Sequence, residues 1–130
     1  MTKTPKGHLI VLTHGQEDGG SRATLAFALA VSLQAMGEEV VVFLHAQAAI
    51  WAFESALQSI HIPGFDRLDT YTKLFEEAGG QIYVCASCAE ETQAALPPQS
   101  HQSGGLRSCV TQAGLTKLAS LLITHKAVSL

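Results

Sequence analysis

Two stretches of this chain are apolar on consecutive residues over the length of a strand: Leu9-Ile10-Val11-Leu12 within His8–Thr13, and Val40-Val41-Val42-Phe43-Leu44 within Glu39–His45. A strand with one wet face alternates apolar and polar residues. A strand with no wet face needs cover on both sides, which is the situation inside a parallel sheet. Ile82-Tyr83-Val84 is a third, shorter run of the same kind. Helical patterns separate the runs, so the chain predicts βαβ units and a three-layer α/β domain. Leu106–Thr111 is a mixed segment and Ala127–Leu130 a short final one. Both predict edge strands, with the three apolar runs in the middle of the sheet. With 130 residues, the chain has the length of one ordinary domain with a core of its own.

The intervening helices carry their own expectations. Arg22–Met36 is apolar nearly all round and Gly37 stops it. One sheet cannot cover such a helix, which predicts a second covering surface such as another subunit. Ala46–Ile60 predicts a helix with Ile50, Phe53, Leu57 and Ile60 on its inner face. Trp51 then falls on the outer arc, either folded onto its own helix or in contact with a partner. Asp69 or Thr70 caps a short helix with Tyr71, Leu74, Phe75 and Ala78 on one face, and Gly79-Gly80 ends it. A helix over Ala89–Leu96 stops at Pro97-Pro98, and Gln99–Gly105 is a polar loop. Leu115, Leu118, Ala119 and Leu122 mark a final amphipathic helix.

Composition removes several function classes. A net charge of −3 with no basic cluster argues against nucleic acid. No apolar run is long enough to cross a membrane, and the first residues lack the core of a signal peptide. The expectation is a cytoplasmic protein whose three cysteines are free or functional rather than a disulfide framework. Charged residues make up only 15% of the chain and mean hydropathy is +0.21, which points to surface covered by a partner.

The chemistry concentrates in Gln81-Ile82-Tyr83-Val84-Cys85-Ala86-Ser87-Cys88. Ser87 and Glu90 have the spacing of a capping box, which predicts a helix starting near Cys88 with Cys85 at the strand end. Backbone N–H groups at a helix start favour an anion and help a thiol ionise. Cys85 is thus the candidate reactive thiol, expected to be exposed at the rim of the sheet. Open parallel sheets bind ligands beyond the carboxyl ends of their strands. His14, His45 and Cys85 all fall at such ends, so either histidine is a candidate proton shuttle. The Cys85-x-x-Cys88 spacing permits dithiol exchange or half of a zinc site, and a full site would draw on Cys109 and a histidine such as His101. Cys109, within its strand, otherwise reads as a small buried hydrophobe. The loop Thr13–Arg22 nearly fits a phosphate loop, but it lacks the lysine, and Glu17 and Asp18 repel phosphate. It reads better as a wall beside Cys85, with Arg22 as an anion contact. No cofactor is indicated.

With these pieces placed, the chain resembles the DsrE/DsrF-like family of small sulfur-handling proteins, including its TusD and YchN types. The likeness rests on Leu9–Gly15 with its short acidic loop and on the Ala-rich helix ending in Met36-Gly37. It continues through Val40–Leu44, the turn Gly79–Cys85, and Ala113-Gly114-Leu115 to Leu122. The resemblance implies one domain over residues 1–130, with a five-stranded parallel sheet of order 4-3-2-1-5 between helices. It implies a homo-oligomer, trimer or hexamer, and a cysteine at the end of strand three that carries sulfur as a persulfide, here Cys85. Two features depart from the family pattern: Ala46-Gln47-Ala48 lacks a glycine common there, and Cys88 is not general.

The functional expectation is an intracellular sulfur carrier or sulfurtransferase. It takes sulfur from a donor protein onto Cys85 and hands it to an acceptor thiol, with Cys88 as candidate resolving thiol. The rival readings are an oligomeric or redox-regulatory module built on the Cys85/Cys88 pair, and a metal-binding protein.

Overall fold

The computed structural model describes residues 4–96 and 105–130. Five parallel strands form one sheet: β1 (His8–Leu12), β2 (Val40–Leu44), β3 (Gln81–Cys85), β4 (Val110–Ala113) and β5 (Lys126–Ser129). Their order is β4-β3-β2-β1-β5. The three apolar runs are the three central strands. All five residues of β2 are buried, and all four of β5, at the edge, are exposed. That is the burial gradient the hydropathy of each run demands.

Alternation along the strands divides the core. Ile10, Leu12, Val40, Val42, Leu44, Ile82 and Val84 point to one face and join the larger core. This face is covered by α1 (Ser21–Ala35), the 3-10 segment Ala46–Ala52, α2 (Glu54–Leu57), α3 (Leu68–Glu77) and α4 (Ala86–Ala95). Leu9, Val41, Phe43 and Cys85 point to the other face, where Leu118 and Leu121 of α5 (Leu115–Thr124) pack on them.

Several local expectations are corrected. The second surface covering α1 is α3 of the same chain. Phe27 meets Phe75 edge-on with ring centroids 5.8 Å apart, and Gln34 Nε2 donates to the Phe75 carbonyl at 3.1 Å. Helix α3 begins at Leu68 with Arg67 as its N-cap, so Asp69 and Thr70 lie inside it rather than capping it, and Leu74 is exposed. The predicted helix Ala46–Ile60 is two pieces, because Phe53 is extended (φ −111°, ψ 130°) and bridges antiparallel to Leu106. In the 3-10 segment, residues three apart align rather than follow a 3.6 period. Trp51 therefore turns inward with Ala48, is fully buried, and donates Nε1–H to the His14 carbonyl at 2.9 Å. The partner-facing reading of Trp51 does not hold. Leu106 and Arg107 pair with the Phe53 region rather than with β3, since Arg107 N–H donates to the Ala52 carbonyl at 3.0 Å. The fourth strand is consequently shorter and later than Leu106–Thr111. Cys109 lies in the turn before it and is exposed, not a buried hydrophobe. The expectations for Pro97-Pro98, for most of Gln99–Gly105 and for His101 lie outside the described residues.

Candidate functional site

The site is set by register. Leu44 of β2 pairs with Val84 of β3, so the next residues, His45 and Cys85, leave neighbouring strand ends side by side and on the same face. Cys85 is also the N-cap of α4, and Cys88 follows one turn later. The outcome is a cluster in which one ring nitrogen of His45 and the sulfurs of Cys85 and Cys88 all lie within 4.8 Å of one another. All three cysteines are free thiols.

The helix begins at Ala86, two residues before the expected start, and no side-chain cap forms. Ser87 is inside the first turn instead of preceding it. Its hydroxyl lies 3.4 Å from Cys85 Sγ. Burial alone would raise the Cys85 thiol above its ordinary value. The Ser87 hydroxyl, the Cys88 backbone N–H, the Cys88 thiol and the Ser87 backbone N–H outweigh it, and the thiol is held below the ordinary value. Cys88 goes the other way. Burial first, then its interaction with Cys85, push its thiol up, against an opposing backbone N–H from Ala46. Ala46 reaches that position with φ 55°, in the left-handed region, the only non-glycine residue to do so among those described.

Access corrects the expectation of an exposed Cys85. That residue is only 5% exposed, between β3 and the α5 face. Cys88 is the half-buried one, and it lines a cavity of about 610 Å³ together with Gln16, Glu17, Gln47, Ile50 and Glu91. The thiol that meets solvent and the thiol held toward its anion are therefore different atoms. A slightly larger hollow, about 690 Å³, lies near the amino ends of the strands against Val40 and Gln81, with no thiol in its lining.

Two expected residues stay apart from the cluster. The His14 ring faces the chain end, with Nδ1 3.2 Å from the Leu130 carbonyl and 3.4 Å from the Thr13 hydroxyl. Register explains this, because Leu12 pairs with Leu44 and the position level with His45 is Thr13. Arg22 does not line the cavity, and its guanidinium is 3.8 Å from Asp18. The Asp18 carboxylate accepts N–H bonds from Gly20 and Arg22, so the first donors of α1 already have an anion. A phosphate loop is excluded here by occupancy as well as by charge. The residues missed from sequence are Ser87 as a thiol donor and Ala46 as the N–H facing Cys88. Nothing in the Ala46 side chain signals it, because a left-handed residue is what glycine ordinarily supplies.

An open parallel sheet with paired thiols at the carboxyl end of an inner strand defines a class of thiol-bearing α/β proteins. Within it, the profile of the DsrE/DsrF-like family matches residues 6–125, and the chain belongs to that family. The fold is similar to the crystal structure of the ychN protein from E. coli, with a TM-score of 0.71 at 16% identity, covering 96% of this chain and 99% of that one. It is also similar to a conserved protein of unknown function from Bacteroides thetaiotaomicron, with a TM-score of 0.59 at 13% identity and 95% of each chain covered. No curated protein matches the sequence. Among the described residues, no helix is long and apolar enough to cross a membrane.

Proposed function

We propose that the chain is a sulfur carrier that works through Cys85 and Cys88. The observation that carries this reading is the stacking of two unequal thiols at one strand end, the outer one open to a cavity and the inner one faced by hydrogen-bond donors. Family membership supports it.

The transfer is an exchange with no net oxidation. The Cys88 thiolate attacks the outer sulfur of a donor persulfide. The donor S–S bond breaks, its electron pair leaves on the donor thiolate, and a new S–S bond forms on Cys88. The Cys85 thiolate then attacks the same outer sulfur, and Cys88 leaves as thiolate and takes a proton. The sulfur rests as Cys85-S-SH, or its anion, where Ser87 and the helix-start N–H groups stabilise negative charge. An acceptor thiolate removes it by the reverse sequence. His45, within 4.8 Å of both sulfurs, is placed to hold the proton that each step moves.

The donor and acceptor in this reading are proteins that present a thiol to the cavity. The chain itself assembles as a homo-oligomer, trimer or hexamer, which is consistent with exposed Leu115, Leu122, Ile123 and Val128 along α5 and β5. The test is the intact mass of reduced protein after incubation with a persulfide donor. The expected product carries one added sulfur that peptide mapping places on Cys85 and that Cys88→Ser, which removes the entry thiol, abolishes; an unchanged mass would overturn the reading.

A further inference from the structure

We infer that His45, Cys85 and Cys88 form a zinc site with an open fourth position facing the cavity. Zinc is bound at about 2.3 Å by thiolate and about 2.0 Å by imidazole, and a tetrahedral arrangement at these lengths separates ligand atoms by roughly 3.5–3.8 Å. The three ligand atoms already lie within 4.8 Å of one another, so ligation asks for a contraction of at most about 1.3 Å. Side-chain rotation supplies movements of that size.

The backbone favours the arrangement. His45 and Cys85 come from adjacent strand ends in fixed register, and Cys88 from the first turn of a helix anchored at Cys85. Among the described residues, the His45 ring makes no hydrogen bond, so one of its nitrogens is free to ligate without breaking another contact. The Ser87 hydroxyl sits against Cys85 Sγ, the kind of outer contact that steadies a thiolate ligand. The cavity at Cys88 gives the ion a way in and leaves room for water or a partner's thiolate as fourth ligand.

The donor set selects the metal. Two sulfurs and one nitrogen exclude calcium and magnesium, which take oxygen. Two thiolates with neutral imidazole balance a divalent ion, whereas a monovalent soft ion leaves a net negative charge beside Glu17 and Glu91 of the cavity wall. This inference does not depend on sulfur carriage. Zinc on both sulfurs would hold carriage off.

The experiment is a titration of the full reduced chain, stripped with chelator, with Co²⁺ and then Zn²⁺. The expected result is saturation at one cobalt per chain, with thiolate-to-cobalt charge-transfer absorption that zinc abolishes. His45→Gln should weaken zinc by about 100-fold or more while leaving the fold intact. If that variant does not fold, Cys88→Ser at the cavity wall serves instead. Absence of the charge-transfer band, or undiminished affinity in the variant, overturns the site. The mass assay for sulfur is run in chelator, so its failure is separable: a chain that loads sulfur but gives no cobalt spectrum overturns only the zinc site.

Discussion

Cys85 and Cys88 sit one helical turn apart, yet their surroundings push them in opposite directions. In metal-free protein, alkylation of Cys85 by a small reagent should reach half its plateau rate below the ordinary thiol midpoint, and that of Cys88 above it. Peptide mapping across a pH series checks this, and coincident midpoints would contradict it. Ser87→Ala should move the Cys85 midpoint upward. The stability signs are opposite too. Between its lowered midpoint and the ordinary value, Cys85 binds fewer protons folded than unfolded. Its contribution is present above the ordinary value and is lost as pH falls through the lowered midpoint. The Cys88 contribution is full below the ordinary value and is lost as pH rises through the raised one. Ala46 is the other residue with a local cost. Left-handed backbone costs an alanine about 1–2 kcal/mol, and glycine's extra chain entropy returns about 0.5–1 kcal/mol of that. Ala46→Gly should therefore stabilise the protein by up to about 1.5 kcal/mol in urea unfolding. A loss of stability would show that φ 55° is not strained here.

At the scale of elements, the sequence was readable where periodicity was strong and unreadable where the backbone left its ordinary periods. The runs Leu9–Leu12 and Val40–Leu44 declared buried strands because no face of either is polar. Ala46–Ile60 misled because a 3-10 stretch has the composition of a helix but rotates each side chain by a different angle. That rotation moved Trp51 from the outer arc to the core. Trp51→Phe should cost about 1–3 kcal/mol by leaving the His14 carbonyl without its donor. A change under about 0.5 kcal/mol in the unfolding free energy would contradict the buried placement. Gly15 is the matching constraint on the loop side, since a Cβ there would press on the Gln47 backbone carbonyl. Gly15→Ala should destabilise by roughly 1–3 kcal/mol and shift the wall of the cavity that Gln47 helps to form. The site was legible to the extent that it depends on strand ends. Cys85 and His45 were found because strand ends are where such sheets present side chains. Their adjacency, and the exclusion of His14, depend on register, which no single strand's sequence records. The burial of Cys85 was hidden because the helix starts at the very next residue, Ala86, rather than after Ser87.

For the molecule as a whole, the order β4-β3-β2-β1-β5 followed from the resemblance together with the contrast between apolar centre and mixed edges. One face of this sheet is covered by several helices and the other by α5. On α5 and β5, Leu115, Leu122, Ile123 and Val128 remain exposed, with Ile123 at 77%. The proposed homo-oligomer predicts a trimer or hexamer by light scattering at micromolar concentration, and a lower mass for Ile123→Glu with helical content unchanged. A monomeric parent chain would contradict it. The central claim concerns sulfur rather than assembly, and mass spectrometry reads it directly. After incubation with a persulfide donor in chelator, the chain should gain roughly 32 Da, one sulfur, reversible by a thiol reductant, mapped to Cys85 and lost in Cys88→Ser. A chain that stays at its starting mass, or a Cys88→Ser variant that still gains the sulfur, would contradict the account.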